Sequence, residues 1–518
     1  MDGALAHART AVRGRRIAGW HDPEDVFTAL FADEAAGDVA WLDDSAGEGW
    51  SYLGASAGSV TAWPDGVFDG LAGLLAHASA ADAGASLDAG ASLDAGASLD
   101  DGLPPDLAFR LGVVGWIPYD AWTETVPLHH APVADAPDRA APEHAAPEHA
   151  APEHAAPEHA EPAAAVLRVE RLLAFDHGTS AVWAVARAGD PWLDAVEGDL
   201  AGVPANPRRA AAAPPHGPAD ADPGSDPVWR HDDDGYLALI RSCQESIRRG
   251  DAYQLCLTNT ARMPGRVDPV GVHLALRALS PTHHGGFLRI GGTVLVSASP
   301  ERFVEVDAGG TLRTLPIKGT RPRHADPAAD ERARAELLAS DKERAENVMI
   351  VDLMRNDLSR VCVLGSVRVT SLFAVEAYAQ VHQLVSRVEG RLVPGVTAVA
   401  AVRALFPAGS MTGAPKSAAV GILRALERGP RGVYAGAFGW FGDDGRADLA
   451  MVIRSVVVAD GRATVGAGGG ITALSVPEEE LEEVRVKAAP LLAAVAAGRV
   501  AERVEGLPSS LPRAAAGA

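Results

Sequence analysis

Lys318 lies in Leu315–Arg323, LPIKGTRPR, between an apolar residue and a glycine and just ahead of two arginines. A lysine is a nucleophile only when deprotonated, a state favoured by desolvation or by neighbouring positive charge. Arg321 and Arg323 are placed to supply that charge and to hold a carboxylate ligand. Taken alone, the segment is better explained as a solvated surface lysine; the rest of the chain changes that weighting. Two carboxylate pairs follow. Glu343 and Glu346, in DKERAE (341–346), are three residues apart and share a helix face, and Glu480 and Glu483, in ELEE (480–483), repeat the spacing. Two such faces can meet around a hard divalent cation, and Mg²⁺ suits all-oxygen ligation. Either pair alone fits the wet face of a helix equally well. VMIVDLM, however, follows the first pair directly and looks buried, which puts those carboxylates at the mouth of an apolar core.

Three further features could hold anions. Gly466–Gly470, GAGGG, lets backbone N–H groups approach a carboxylate or phosphate closely, although a tight turn explains it too. No GxxxxGK[ST] pattern accompanies it, so a nucleotide is not implied. Arg454 interrupts the apolar run MVIRSVVV, read as a strand, and a buried arginine must be paired, with either a protein or a ligand carboxylate. Lys416, in TGAPKS, can open a helix and serve the surface, the scaffold or catalysis. The GxSxG at Gly54–Gly58 has no apolar helix after it and is a chance match to a nucleophile elbow.

The elements that must position these groups are legible from periodicity. YLALIRSCQESIRRG predicts a helix ending at Gly250, and AYQLCLTNT a strand. GGTVLVSASPERFVEVD predicts two strands joined near Pro300, and TLRTLPI a strand leading to Lys318. Residues 328–360 form a long helical stretch with a possible break, followed by strands near 363–370 and 382–388 and a Gly/Ser/Pro-rich loop at 406–415. A last helix starts near Ser475, which can cap it, with Pro477 just inside and Glu478 at capping-box spacing. In the N-terminal part, Val39–Gly54 predicts strand–turn–strand and Phe109–Tyr119 a further strand. Mixed helices and non-adjacent strands favour an α/β architecture.

The 518-residue chain carries 47% hydrophobic residues and a net charge of −22, which argues against nucleic-acid binding and requires positive charge to be concentrated locally for an anionic substrate. Cys243, Cys256 and Cys362 fit neither a disulfide scaffold nor a zinc site, so a reducing compartment is expected. No apolar run of membrane length and no signal-peptide core is present; the cytoplasm is the default. The DAGASL repeats (78–102), the APEHA repeats (140–165) and 196–228 are expected to be disordered inserts or linkers, as is the tail 501–518. The histidines of the APEHA repeats are not expected to bind metal, because proline breaks any helix between them. The organisation expected is thus 1–195 as an N-terminal portion, 196–228 as a linker and 229–500 as the catalytic region.

Together, GDAYQLCLT (250–258), SPERF (299–303), PIKGTRPR (316–323), DKERAENVMIVDLMRNDLSRV (341–361), FPAGSMTGAPK (406–416), RGVYAGAFGWF (431–441), IRSVVV (453–458) and GAGGGITALSVPEEELEEVRVKA (466–488) resemble the chorismate-utilising enzymes of the anthranilate synthase component I family. Within that family the motifs are most similar to aminodeoxychorismate synthase component I, and they occur in the expected order over about residues 236–495. The resemblance implies one large fold of two antiparallel β-sheets packed face to face with helices outside. It implies Mg²⁺ held by Glu343 or Glu346 with Glu480 or Glu483, Glu346 and Glu483 being the direct ligands. Glu301 would protonate the leaving C4 hydroxyl of chorismate. Arg454, Tyr434 and the amides of Gly468, Gly469 and Gly470 would hold the substrate carboxylates, with Ser410 and Thr320 as polar contacts.

Lys318 separates the family members, because anthranilate synthases usually carry Ala there. In aminodeoxychorismate synthases the resemblance implies that this lysine attacks C2 and forms a covalent intermediate, which ammonia resolves at C4 to give 4-amino-4-deoxychorismate for 4-aminobenzoate and folate or secondary-product biosynthesis. Gln254 stands where isochorismate-forming relatives place a basic lysine, which favours ammonia as the nucleophile. Gln383 stands where relatives often carry His, while the adjacent His382 points to the other face of a strand; Gln can hydrogen-bond but is neither acid nor base. No glutaminase nucleophile motif surrounds any cysteine, so a separate glutamine amidotransferase is the expected ammonia source. The competing expectations are an anthranilate or 2-amino-2-deoxyisochorismate synthase component I, or an inactive regulatory or binding subunit.

Overall fold

The computed structural model describes residues 11–56, 60–85, 102–128, 163–203, 226–378 and 381–500. The first part contains β1 (Val12–Ile17), α1 (Pro23–Leu30), β2 (Val39–Asp43), β3 (Trp50–Ala55), β4 (Val60–Trp63), α2 (Val67–Ala85), β5 (Gly112–Ile117), β6 (Ala164–Val169), β7 (Arg171–Asp176), β8 (Ala181–Arg187) and α3 (Trp192–Ala201). Next come β9 (Val228–Trp229), α4 (Asp233–Arg249), β10 (Gln254–Met263), α5 (Pro269–Leu279), β11 (His284–Ile290), β12 (Thr293–Ser299), β13 (Arg302–Val306), β14 (Thr311–Thr314), β15 (Ile317–Pro322), α6 (Pro327–Ala339) and α7 (Asp341–Ser359). The chain finishes through β16 (Arg368–Ala377), β17 (Val381–Arg391), α8 (Ala398–Leu405), β18 (Gly413–Ala414), α9 (Lys416–Glu427), β19 (Ala437–Gly442), β20 (Ala447–Met451), β21 (Ser455–Ala459), β22 (Arg462–Ile471) and α10 (Pro477–Ala497).

All the strand pairs are antiparallel among the described residues. One sheet runs β1-β8-β7-β3-β2-β11-β12-β21-β22-β10-β18, and the other β15-β17-β14-β13-β20-β19-β5-β6-β4. Strands from both ends of the chain therefore enter each sheet. The layering follows from three apolar cores. Ala40, Leu172, Leu288 and Leu295 of the first sheet interdigitate with Val114, Trp116, Phe438 and Trp440 of the second, which makes the two sheets a sandwich. A second core packs α1, α4, α5, α9 and α10 on the outer face of the first sheet, and a third packs α2, α7 and α8 against the second sheet. The expected fold, two antiparallel sheets face to face with helices outside, is the one observed.

Several local expectations need correction. Helix α2 extends through Ala85, so 78–85 is helical, while 86–101 lies outside the described residues. β6 begins at Ala164, inside the stretch assigned to the APEHA insert, and α3 and β9 occupy 196–201 and 228 at the two ends of the supposed linker. Residues 140–162 and 204–225 of these segments, and the tail 501–518, fall outside the described residues. Gly54 belongs to β3, whereas 57 and 58 of the GxSxG stretch are not described. The strand expected at 363–370 is displaced to β16. The long helical stretch does break, at Ser340, which closes α6 and whose side chain accepts from Glu343 N–H to start α7. VMIVDLM is only partly buried: Ile350, Val351 and Met354 face the core, whereas Val348 is exposed. Ser475 does not cap α10. Val476 holds that position without a side-chain bond, and Ser475 Oγ instead donates to Glu480 Oε1 at 2.7 Å.

Candidate active site

The site lies where the two sheets and two helix starts meet. Lys318 comes from β15, Glu343 and Glu346 from the first turns of α7, and Glu480 and Glu483 from the first turns of α10. Glu301 follows the end of β12, Ser410 sits in a 3-10 turn at Gly409–Met411, and Gln254 starts β10. Gly319 makes the approach of β15 to the helices possible. Its φ is +84°, and a Cβ there would lie 2.7 Å from Leu337 and 2.9 Å from the Glu343 carboxyl.

Electrostatically this is an acidic pocket with the Lys318 amine inside it. Burial would depress the Lys318 ammonium, but Glu301, Glu346 and Glu483 outweigh burial and hold it above its ordinary value. Lys318 makes no ion pair with any described residue, so its Nζ is left for a ligand. The cationic surroundings expected from Arg321 and Arg323 are absent. Arg321 is spent on Glu336 (3.1 Å) and Glu343 (3.5 Å), and Arg323 on Asp330 (2.9 Å) and the Tyr378 carbonyl (3.0 Å). Burial pushes Glu301 up despite the opposing Lys318 and the Ser410 hydroxyl, which donates to Glu301 Oε1 at 3.1 Å. A carboxyl so placed retains a proton more readily than a surface one.

Of the four carboxylates expected to hold metal, Glu346, Glu480 and Glu483 are displaced from their ordinary values. Glu346 is raised first by burial and also by Glu343 and Glu483, with Lys318 opposing. Glu480 is raised by burial and by Glu483, with its Ser475 bond opposing. Glu483 alone is lowered, because Lys487 at 2.5 Å overcomes its burial. Among the described residues no three His, Cys, Asp or Glu side chains close into a complete cage. Glu346 of α7 and Glu483 of α10 nevertheless lie near enough for Glu483 to raise Glu346, and an all-carboxylate set from two helices fits a cation that keeps waters and substrate oxygens in its shell, as Mg²⁺ does.

The glycine run proved to be strand rather than loop. Gly468, Gly469 and Gly470 lie in β22 opposite Thr258, Leu257 and Cys256 of β10. Because Cys256 N–H goes to Thr412 and Thr258 N–H to Glu427, the alternate residues Leu255, Leu257 and Asn259 bond β22. The amides of Gly468 and Gly470 therefore face the opposite edge, towards the bend at Arg454, while that of Gly469 belongs to the ladder. A Cβ on Gly470 would fall 2.4 Å from Gln254 Nε2, so the two are in contact. Arg454 is not within a strand. It occupies the bend between β20 and β21 with φ +51°, a conformation L residues rarely adopt. It forms no ion pair with any described residue; burial lowers its pKa, and Tyr434 and Glu483 are its charged or ionisable neighbours. Tyr434 is itself buried, and burial raises its phenol.

A family model described as chorismate binding enzyme matches residues 140–493. The chain belongs to this family. It is thus an enzyme that acts on chorismate. It is 39% identical over 540 residues to an aminodeoxychorismate synthase of Streptomyces pristinaespiralis, covering 96% of this chain and 67% of the relative. It is 45% identical over 339 residues to the aminodeoxychorismate synthase of Streptomyces griseus, covering 64% of this chain but only 46% of that one. The solved structure of anthranilate synthase component I from Streptococcus pneumoniae superposes with a TM-score of 0.63 at 25% identity, over 86% of this chain and 92% of the other. Among the described residues no helix is long and apolar enough to cross a membrane.

Within this chorismate-binding fold most of the predicted residues converge, but Thr320 stands apart. Thr320 is exposed, facing Gln383 only through the β15–β17 register. Gln383 is buried, while its neighbour His382 turns to the other side and meets Asp330 at 3.0 Å, as strand alternation requires. Lys416 is structural: its Nζ donates to Asp357 and to the carbonyls of Leu405 and Pro407. Sequence reasoning missed Lys487, which donates to Gly468 O at 2.8 Å and pairs with Glu483. Its i,i+4 spacing from Glu483 was the available signal. It also missed Cys256, whose thiol lies close enough to Lys318 for each to shift the other's titration.

Proposed function

We propose that the chain converts chorismate and ammonia to 4-amino-4-deoxychorismate. The observation that carries this is the primary amine of Lys318 among Glu301, Glu346 and Glu483, with no ion pair among the described residues, because direct addition of a nucleophile to chorismate needs no such amine. In its neutral form the Lys318 amine adds at C2, both conjugated ring double bonds shift, and the C4 hydroxyl leaves as water with the proton of Glu301. Ammonia then adds at C4, both double bonds shift back, and Lys318 departs as a neutral amine. The new C4 ammonium returns its proton to Glu301. One ammonia enters and one water leaves, and a difficult substitution is divided into two allylic ones. Ser410 orients Glu301 throughout.

Arg454, Tyr434 and the outward amides of Gly468 and Gly470 hold the substrate carboxylates, with Gln254 and Gln383 as polar contacts. Bound Mg²⁺, held by Glu346 and Glu483 with Glu343 and Glu480 beside them, would neutralise the field that keeps Lys318 protonated and give the ring carboxylate a counter-charge. A separate glutamine amidotransferase supplies the ammonia, and the product serves 4-aminobenzoate synthesis for folate or secondary metabolites. The test is incubation with chorismate, Mg²⁺ and ammonium. A product that an added lyase converts to 4-aminobenzoate supports the proposal, and Lys318→Ala should lose it. Direct release of anthranilate, or an unimpaired Lys318→Ala enzyme, refutes it.

A further inference from the structure

A buried ion pair outside the substrate-facing set ties the turn that carries Ser410 to the strand beside the glycine run. Glu427 ends α9, and Arg431 follows in the next loop; their side chains are 3% and 1% exposed. Arg431 Nε and Nη2 grip both Glu427 oxygens at 2.8 and 2.7 Å, and its ring-like face lies 4.2 Å from the centroid of Tyr119. The remaining donors go to main chain: Nη1 to Met411 O at 2.7 Å and Nη2 to Cys256 O at 2.8 Å. Glu427 Oε1 in turn accepts from Thr258 N and Oγ1, both at 2.9 Å. A carboxylate at a helix C-terminus opposes the macrodipole, so α9 gains nothing from Glu427 there. Burying both charges also costs desolvation that only this full set of bonds offsets. The pair is therefore built for what it grips: the turn presenting Ser410, and the β10 stretch opposite Gly468–Gly470.

We infer that Arg431 is a positioning residue for proton donation, acting through Met411 O and Ser410 to hold Glu301 in register. The inference rests on the proposed roles of Glu301 and Ser410. Arg431 touches neither substrate nor reacting atoms; it fixes the turn whose hydroxyl meets Glu301. Lysine cannot reproduce its planar fork, so Arg431→Lys keeps the charge and releases the turn.

The experiment is a double-mutant cycle of Arg431→Lys and Ser410→Ala, read as total chorismate consumed with Mg²⁺ and ammonium, whatever the product. Arg431→Lys is expected to lower kcat by about 10- to 100-fold, since a small misplacement is enough, with KM for chorismate within about threefold. The double variant should be no worse than Arg431→Lys alone beyond about threefold, because both act on one contact. Arg277→Lys supplies the comparison for destabilisation alone: it loosens another buried arginine, paired with Asp43 and Glu24, and should lower Tm while sparing kcat. Losses that multiply in the double variant, or an Arg431→Lys kcat no lower than that of Arg277→Lys, overturn the inference. If Arg431→Lys does not fold, the cycle is run with Glu427→Gln under the same criteria. A wild-type enzyme that consumes no chorismate brings down the proposed function and this inference together, whereas turnover with multiplying losses brings down the inference alone.

Discussion

Replacing Lys416 by methionine should destabilise the protein strongly, because among the described residues its ammonium is the sole ion-pair partner of the buried Asp357 carboxylate. Lys416 Nζ donates to Asp357 Oδ2 at 2.7 Å, Leu405 O at 2.7 Å and Pro407 O at 2.9 Å, and the Asp357 side chain is 3% exposed. Methionine matches the stem but leaves Asp357 without its partner, a loss that costs about 3–5 kcal/mol at buried pairs. The two carbonyls add to it, at roughly 1–3 kcal/mol for each acceptor that stays unsatisfied, although water reaching the loop offsets part of this. A net loss of about 4 kcal/mol is expected, a large share of the roughly 5–15 kcal/mol by which folded domains are stable. Urea unfolding followed by tryptophan fluorescence measures it. The second arm is Lys416→Met with Asp357→Leu, which removes the orphaned charge and should recover at least about 1 kcal/mol. A Lys416→Met protein within about 1 kcal/mol of wild type, or a double variant no more stable than the single, would refute the buried-pair account.

Gly468→Ala places a Cβ 2.5 Å from the Leu257 carbonyl, so the β10–β22 ladder must shift; KM for chorismate should rise by roughly tenfold or more, measured by steady-state consumption. His283 is held above its ordinary value of 6.5 chiefly by its hydrogen bond to Asp44. That stabilisation is complete below the unfolded pKa and lost as pH rises through the folded one. His283→Ala should therefore lower Tm at pH 6 and converge on wild type near pH 9, and an equal loss at both would count against the pairing. Chelation should abolish turnover and Mg²⁺ restore it. Glu346→Gln should raise the Mg²⁺ needed for half-maximal rate by more than the roughly 10–100-fold that outer-shell losses cost, as read by titration into chelated enzyme.

Much of the scaffold was legible because it is locally encoded. The helix ending at Gly250, the strands around Pro300 and the two carboxylate-bearing helices all carry period, cap or proline signals that do not depend on partners. Ser475 misled because its hydroxyl found a better acceptor in Glu480, one turn into the helix it was expected to cap. The GAGGG run misled because glycine marks loops and close strand approaches alike, and only β10 running alongside decides between them. Arg321 and Arg323 misled most: their partners Glu336, Glu343 and Asp330 come from helices whose docking the local sequence does not specify.

Residue identity and order alone determined which groups are available: one lysine in PIKGT, two carboxylate pairs at helical spacing, and a motif series specific to one family. Tertiary structure decided their electrical setting. It surrounded Lys318 with acids rather than arginines, left Arg454 in a left-handed bend without an ion pair among the described residues, and reserved Lys416 and Arg431 for the scaffold. Charge interactions act through space, between groups that may be 20 or 200 residues apart, so sequence spacing cannot report them until the sheets and helices have brought those groups together.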